Sequence, residues 1–101
     1  MVKHIILWQF KDELSEEEKM MRAKDIKAGL EGLKGKVEGL EEITVQTEKL
    51  ATSNADVMLD CTLKDEKALA VYAKYPEHVA VAENKIKPFI KTRVCMDFEV
   101  K

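Results

Sequence analysis

The chain has 101 residues, of which 46% are hydrophobic and 36% are charged, and its formal net charge is −2. This length is typical of a single domain, and this hydrophobic fraction is typical of a chain that folds around a core. The 17 basic and 19 acidic residues are mixed along the chain without a basic stripe, so we expect no nucleic-acid partner. We therefore predict one globular domain over residues 1–101.

The apolar segments and the cysteines indicate neither a membrane span nor a redox motif. The longest apolar run near the start, Ile5–Trp8, is far shorter than the roughly 20 residues of a membrane-spanning helix. The first residues also lack the long apolar region and cleavage site of a signal peptide. The two cysteines, Cys61 and Cys95, show no CxxC spacing, so no zinc or redox motif is predicted. We expect a cytoplasmic protein with two buried, reduced thiols.

The first part of the chain predicts one strand followed by one amphipathic helix. Val2–Phe10 is rich in β-branched and aromatic residues, which favours a strand. Ser15 and Glu18 have the spacing of a capping box, in which each side chain bonds to the other's backbone N–H. An apolar stripe at intervals of three and four predicts a helix over 15–34, and its members are Ala23, Ile26, Leu30, Leu33 and Val37. Gly35 or Gly39 is expected to supply the turn that follows.

The rest of the chain predicts three more strands and two helical pieces. In order, these are strands over 43–48 and 56–63, a helix over 65–73, a helix from Pro76 to Pro88 and a strand over 92–100. The helical pieces separate at Tyr75 because the residue before a proline avoids helical angles, whereas Pro76 suits a first helical turn. The second piece is expected to bury one side, composed of Val79, Ala82, Ile86 and Phe89.

The order β-α-β-β-α-α-β predicts a ferredoxin-like α+β fold, in which a four-stranded antiparallel sheet carries its helices on one face. The opposite face of such a sheet is normally polar where it meets water. Here the first strand is apolar on both sides, and one side of the last strand consists of Val94, Met96, Phe98 and Val100. Exposed apolar patches of this size are rare on monomers. We therefore expect a second copy to cover the helix-free face, which gives a homodimer with a barrel-like core.

Tyr72 and His78 form the candidate catalytic pair. His78 lies in the first turn of a helix, where the helix dipole disfavours imidazolium, so the ring should be neutral and able to accept a proton. Tyr72 lies on the preceding helix, and the break at Tyr75 can turn both side chains toward one cleft. The histidine would act as general base while the phenol holds a carbonyl oxygen that gains charge. The alternative is structural, with Tyr72 packed in the core and His78 capping a helix.

His4 is the other histidine, and it lies within an apolar strand. If the first and last strands are antiparallel neighbours, Asp97 approaches His4 and orients its ring. We count both residues among those that contact a ligand, and the alternative is a hydrogen-bonded core histidine. His4 and His78 are not at ligand spacing, and the chain has no GxSxG, HExxH or glycine-rich phosphate loop. No metal or cofactor site is therefore predicted.

Four segments are similar to the stress-responsive α/β-barrel (Dabb) family, and they are Val2–Trp8, Ala55–Val57, Leu69–His78 and Met96–Phe98. The first-strand histidine and the Y-x-x-x-P-x-H run are fairly specific together, and the resemblance covers essentially the whole chain. It implies a dimeric ferredoxin-like α+β barrel without a cofactor. Most members have no assigned activity. Plant members include stress-induced proteins and a polyketide cyclase that closes a ring by intramolecular aldol chemistry, and related barrels include cofactor-free monooxygenases.

The resemblance also implies roles for individual residues. Tyr72 and His78 match the tyrosine and histidine that act in the cyclase, and His4 matches a further histidine in its first strand. The implied cleft wall consists of Ile6, Trp8, Val57, Leu59, Val81 and Cys95. Val57 stands where the cyclase has another histidine, and Trp8 is bulkier than the aliphatic residue expected there. A cleft that is smaller and less polar is expected to bind a different molecule.

Two functional hypotheses follow. In the first, a homodimer binds a small, largely apolar carbonyl compound between sheet and helices, and His78 and Tyr72 act on it as base and hydrogen-bond donor. In the second, the dimer is a non-catalytic stress-related protein with a ligand-binding or structural role. Substituting either residue separates the two, because only the first hypothesis predicts lost turnover with folding retained.

Overall fold

The computed structural model describes all residues from 1 to 101. The elements in chain order are β1 (Val2–Phe10), α1 (Glu16–Glu31), β2 (Leu40–Gln46), β3 (Val57–Leu63), α2 (Glu66–Lys74), α3 (Pro76–Val81), a π-helical segment (Ala82–Ile86), a 3-10 turn (Lys87–Phe89) and β4 (Ile90–Glu99). The four strands form one antiparallel sheet in the order β2-β3-β1-β4. This arrangement confirms the predicted ferredoxin-like α+β fold. None of the helices combines the length and the hydrophobicity that crossing a lipid bilayer requires.

Helix α1 begins as predicted but ends three residues early. The Ser15 hydroxyl accepts a hydrogen bond from the Glu18 backbone N–H at 3.1 Å, and the Glu18 carboxylate accepts one from the Ser15 N–H at 3.2 Å. At the other end Gly32 caps the helix, and the chain continues in tighter turns with i to i+3 hydrogen bonds. Leu33 and Val37 remain buried although they lie beyond the helix. The apolar spacing therefore predicted burial correctly and the helix end wrongly, since glycine lowers helix propensity there.

Gly35 and Gly39 both have positive φ angles, of 84° and 86°, and lead the chain from α1 to β2. We expect Gly35→Ala to lower the free energy of unfolding by about 1 kcal/mol, because a Cβ there meets no atom and only the backbone is strained. Gly39→Ala should cost about 3 kcal/mol, because its Cβ would also lie 2.5 Å from the Cβ of Ala68. Urea unfolding of the two variants measures the difference. Equal losses would contradict the close approach of α2 to this turn.

The ends of β2 and β4 differ from the prediction because each strand contains a register irregularity. The pairing of β2 with β3 shifts between Leu40 and Glu42, so regular alternation starts only at Ile43, where the prediction placed the strand. Likewise β4 begins at Ile90, and its pairing with β1 shifts opposite Gln9 and Phe10. An extra residue in one strand interrupts the period of two on which sequence prediction depends.

In the helical region after Pro76 the predicted buried side is correct at Ile86 and wrong at Val79. Val79 is exposed, whereas Val81 and Ile86 are buried. The chain forms a π-helical turn over Ala82–Ile86. A π turn brings residues five apart onto one side, so Val81 and Ile86 face the core together. The prediction assumed the regular helical period of 3.6 residues and therefore selected Val79 wrongly.

The core lies between the sheet and the helices, and the helix-free face of the sheet is apolar over half of its width. On β4, Val94 is 60% and Met96 is 65% exposed. Leu7 of β1 lies opposite Val94, and Ile5 lies opposite Met96. We call the following six residues the apolar sheet patch: Ile5, Leu7, Met58, Val94, Met96 and Phe98. Cross-strand partners share one face of a sheet, so these side chains form one contiguous surface.

Candidate functional site

The break between α2 and α3 brings Tyr72 and His78 together. Helix α2 ends where Tyr75 adopts an extended conformation, and Pro76 starts α3. The ring centroids of Tyr72 and His78 lie 4.3 Å apart, with the planes inclined by 38°. Stacking at this distance is favourable and fixes the orientation of both rings.

The surroundings of His78 favour its neutral form. Its Nδ1 lies 3.3 Å from the carbonyl oxygen of Ala73. A carbonyl oxygen only accepts, so in the neutral ring Nδ1 carries the hydrogen and donates a hydrogen bond to Ala73. Burial lowers the pKa of His78, and the nearby charges of His4 and Arg93 lower it further, against the hydrogen bond to Ala73. The Nε2 lone pair is then available to accept a proton at neutral pH.

Tyr72 is the largest fully buried side chain, and its hydroxyl lies beside the Cys61 thiol without a nitrogen or oxygen partner. Burial raises the pKa of Tyr72 well above its usual range, and the neighbouring Cys61 thiol adds to this effect. The phenol therefore stays protonated, and its hydroxyl can donate a hydrogen bond. Cys61 is buried as predicted, and burial raises its pKa to about 12, so its thiol is not a nucleophile at neutral pH.

His4 and Asp97 lie opposite each other on β1 and β4, and Asp97 Oδ1 is hydrogen-bonded to His4 Nδ1. The His4 ring meets the Tyr72 ring edge-on, with centroids 5.9 Å apart. Cys95 Sγ lies 3.5 Å from Asp97 Oδ1 and 3.8 Å from His4 Nδ1. These three side chains offer nitrogen, sulfur and oxygen ligands within 4.8 Å of one another, and they are the group that could hold a metal ion. Cys95 is exposed in the single chain, so the prediction of a second buried thiol was wrong.

A cavity of about 340 Å³ lies between the sheet and the helices. Its apolar wall consists of Ile6, Trp8, Leu30, Leu59, Ala82, Ile86 and Ile90, and its polar wall consists of His78, Lys87 and Arg93. The Nε1 of Trp8 is buried and has no hydrogen-bond partner. The cavity therefore combines an apolar body with a histidine, the unsatisfied Trp8 donor lies buried beside it without accessible surface, and its volume suits a small organic molecule.

The structure divides the residues predicted for the site into two groups. Those that line the cavity are Ile6, Trp8, Leu59 and His78. Those that lie outside the cavity wall are His4, Val57, Tyr72, Val81, Cys95 and Asp97. Val57 and Val81 are buried in the core. His78 contacts Tyr72, Tyr72 contacts His4, and His4 is hydrogen-bonded to Asp97, so the last three are connected to the cavity only through His78.

Sequence reasoning missed Arg93 and Lys87 in the cavity wall. The sequence assigned neither residue to a site, but Arg93 lies on β4 directly opposite Trp8. Alternation along β4 was the available signal, because Arg93 is two residues before Cys95 and shares its face.

Solved structures from several organisms are similar to this chain. A dimeric protein of unknown function and ferredoxin-like fold from Bacteroides fragilis is 28% identical, with a TM-score of 0.91 over 98% of this chain and 95% of that chain. A dimeric ferredoxin-like protein of unknown function from Thermobifida fusca is 22% identical, with a TM-score of 0.82 over 98% and 90% of the two chains. A hydroxynitrile lyase from Passiflora edulis is 15% identical, with a TM-score of 0.77 over 99% of this chain and 93% of that chain.

No curated protein matches the sequence. The model of one family, the Stress Responsive A/B Barrel Domain, matches residues 2–100, which is nearly the whole chain. The sheet order and the structural neighbours agree with that match. The chain therefore belongs to the stress-responsive A/B barrel (Dabb) family.

Proposed function

We propose that the chain forms a homodimer through the apolar sheet patch and binds a small, largely apolar carbonyl compound in the cavity between sheet and helices. The similar proteins from Bacteroides fragilis and Thermobifida fusca are described as dimeric, which supports self-association here. The patch exposes several large apolar side chains on one face of the sheet, and a second copy of the same face is their simplest cover. The two cysteines form no disulfide, which suits the reducing cytoplasm that we propose as its compartment.

The observation that carries the ligand proposal is the largely apolar cavity beside His78, with Trp8 in its wall and the Trp8 Nε1–H buried without an acceptor. A buried donor without an acceptor costs free energy, and native proteins rarely leave one without a reason. A compound with a single carbonyl group offers one hydrogen-bond acceptor, and the rest of the molecule has no polar group that would lose its water on binding. An otherwise apolar carbonyl compound therefore fits this wall, and its oxygen would reach the Trp8 N–H after a small turn of the indole, because Nε1 has no accessible surface in the free chain.

The proposed chemistry is proton abstraction next to the carbonyl group. His78 Nε2 takes a proton from the adjacent carbon, and the electron pair of the broken C–H bond moves onto the carbonyl oxygen. The Tyr72 hydroxyl, which lacks a nitrogen or oxygen partner, donates a hydrogen bond to that oxygen as it becomes negative. Such an enolate can attack a second carbonyl of the same ligand, which is the ring closure that a cyclase performs.

The burial of Tyr72 favours a second candidate, a dimer that binds the ligand without acting on it. Tyr72 has no exposed surface and does not line the cavity. The His78 ring lies against it, so contact between a ligand oxygen and the Tyr72 hydroxyl requires His78 to move. His78 is half-buried, and such a move would also give up the stacking of its ring on Tyr72.

Butyrophenone, an uncharged aryl ketone, tests binding and chemistry separately. Trp8 is the only tryptophan, and its fluorescence should be quenched when the ketone occupies the cavity. Deuterium incorporation next to the carbonyl group, followed by NMR in D₂O, reports proton abstraction without knowledge of the natural substrate. Binding with deuteration above the buffer rate supports the enzyme, and binding without deuteration supports the second candidate. If the ketone does not bind at all, the proposed function is wrong.

Tyr72→Phe should reduce the deuteration rate without lowering stability. Because the hydroxyl is buried without a nitrogen or oxygen partner, removing it should leave the free energy of unfolding unchanged or raise it by about 1 kcal/mol. Urea unfolding and the NMR exchange assay measure the two effects. The matched control is Tyr75→Phe, which changes the other tyrosine outside the cavity and should alter neither rate nor binding. A clear loss of stability in Tyr72→Phe would indicate a structural hydrogen bond instead.

A further inference from the structure

We propose that the ligand carries a carboxylate group in addition to its carbonyl, and that Arg93 binds this carboxylate at the side of the cavity. The proposal rests on the proposed function and specifies its substrate class as apolar keto acids. Its basis is the distribution of charge around the cavity and the pairing of each charged side chain.

All three polar residues in the cavity wall are basic, although the chain as a whole has a net charge of −2. No acidic side chain lines the cavity. Lys87 is already paired, since its Nζ donates to Glu83 Oε1 at 2.6 Å. Arg93 forms no ion pair with a carboxylate of this chain. The cavity therefore presents one uncompensated guanidinium to a bound molecule.

The position of Arg93 relates this charge to the Trp8 side chain in the apolar wall. Arg93 on β4 is the direct cross-strand partner of Trp8 on β1, so both side chains lie on the helix-covered face. Trp8 contributes its indole to the apolar wall, and Arg93 is an exposed charged group without a counter-ion at the rim. A charged donor at the rim of an apolar cavity suits a molecule with an anionic group at one end and an apolar body.

A carboxylate matches this arrangement better than a phosphate. The planar guanidinium binds a carboxylate through two parallel hydrogen bonds, and a single guanidinium balances its one negative charge. A phosphate dianion needs more positive charge than one free arginine supplies, because Lys87 is held by Glu83. The remaining wall of aliphatic and indole side chains fits a ring or short hydrocarbon chain.

Three ligands with one carbon skeleton test the proposal. Benzoylpropionate is a keto acid, benzoylpropionamide replaces its carboxylate by an uncharged amide, and butyrophenone has a methyl group there. Titration calorimetry of the full chain should give an affinity about tenfold higher for the acid than for the amide. Arg93→Gln should remove this difference by weakening binding of the acid alone. Arg22→Gln, which changes the other arginine of the chain outside the cavity, should preserve it.

The outcomes separate this proposal from the function on which it rests. Equal affinities for acid and amide, with butyrophenone still bound, would overturn the carboxylate site and leave ketone binding intact. A preference for the acid that survives in Arg93→Gln would also overturn it, because the charge would then be bound elsewhere. If none of the three compounds binds, the proposed function is wrong, and the carboxylate proposal that rests on it is wrong as well.

Discussion

Met96→Glu is expected to convert the protein from a dimer into a folded monomer. Met96 lies in the middle of the apolar sheet patch, opposite Ile5, and is 65% exposed in the single chain. In a two-fold dimer through this face, each copy would bury one unpaired carboxylate, and each buried charge costs several kcal/mol. Sedimentation velocity at tens of micromolar should give a mass near 11.5 kDa for the variant and twice that mass for the unmodified chain.

Met21→Glu is the matched control, because Met21 is 61% exposed and lies on helix α1 away from the patch. It introduces the same charge at nearly the same exposure, so it should remain dimeric. Circular dichroism should show that both variants keep their secondary structure. If the unmodified chain already sediments as a monomer, or both variants dissociate equally, the patch is not the interface.

The fold could be predicted from the sequence because most of its elements follow one regular period. Val2–Phe10 has the same ends in the prediction and in the structure. Errors arose where an irregularity changed the period: the shifts in β2 and β4, the glycine at the end of α1, and the π-helical turn after Val81. Whether a strand or a helical turn accommodates an extra residue depends on packing between segments that are distant in sequence. The local residue pattern carries no information about this packing.

The candidate site was predictable only in part, for a similar reason. The proline break between α2 and α3 is local, and it brings Tyr72 and His78 together as the sequence indicated. The neighbouring strands β1 and β4 place Asp97 beside His4, which follows from topology. Which residues border the cavity depends instead on how the helices are rotated against the sheet. Val81 therefore lies in the core although it was expected in the cavity wall.

Strand β4 connects the proposed interface with the proposed ligand site. One side of the strand carries Val94 and Met96 of the apolar sheet patch, and the other carries Arg93 and Cys95. β4 is an edge strand that pairs only with β1, and nearly all of its residues are exposed in the single chain. A second copy on the patch would cover one side of β4 and hold Arg93 in place at the cavity. Dimerisation and ligand binding then depend on the same strand.

His78→Ala is expected to slow deuteration of butyrophenone by at least about 100-fold, the usual loss when a general base is removed. The ring is the only imidazole in the cavity wall, which has no carboxylate, so it is the side chain there suited to act as a general base. Its lowered pKa fixes the pH dependence. The rate for the unmodified chain should rise with pH to a plateau, with a midpoint below the ordinary histidine value of 6.5, because protonation of Nε2 removes the base.

Binding and folding distinguish this loss from a structural one. The other members of the cavity wall are unchanged in His78→Ala, so the affinity for butyrophenone from Trp8 fluorescence should change by less than about threefold, roughly 0.6 kcal/mol. Val79→Ala is the control on the same helix, because Val79 is exposed and lies outside the cavity. It should keep both the rate and its pH midpoint. A His78→Ala variant that still deuterates the ketone would remove the basis for the catalytic pair and leave the cavity as a binding site alone.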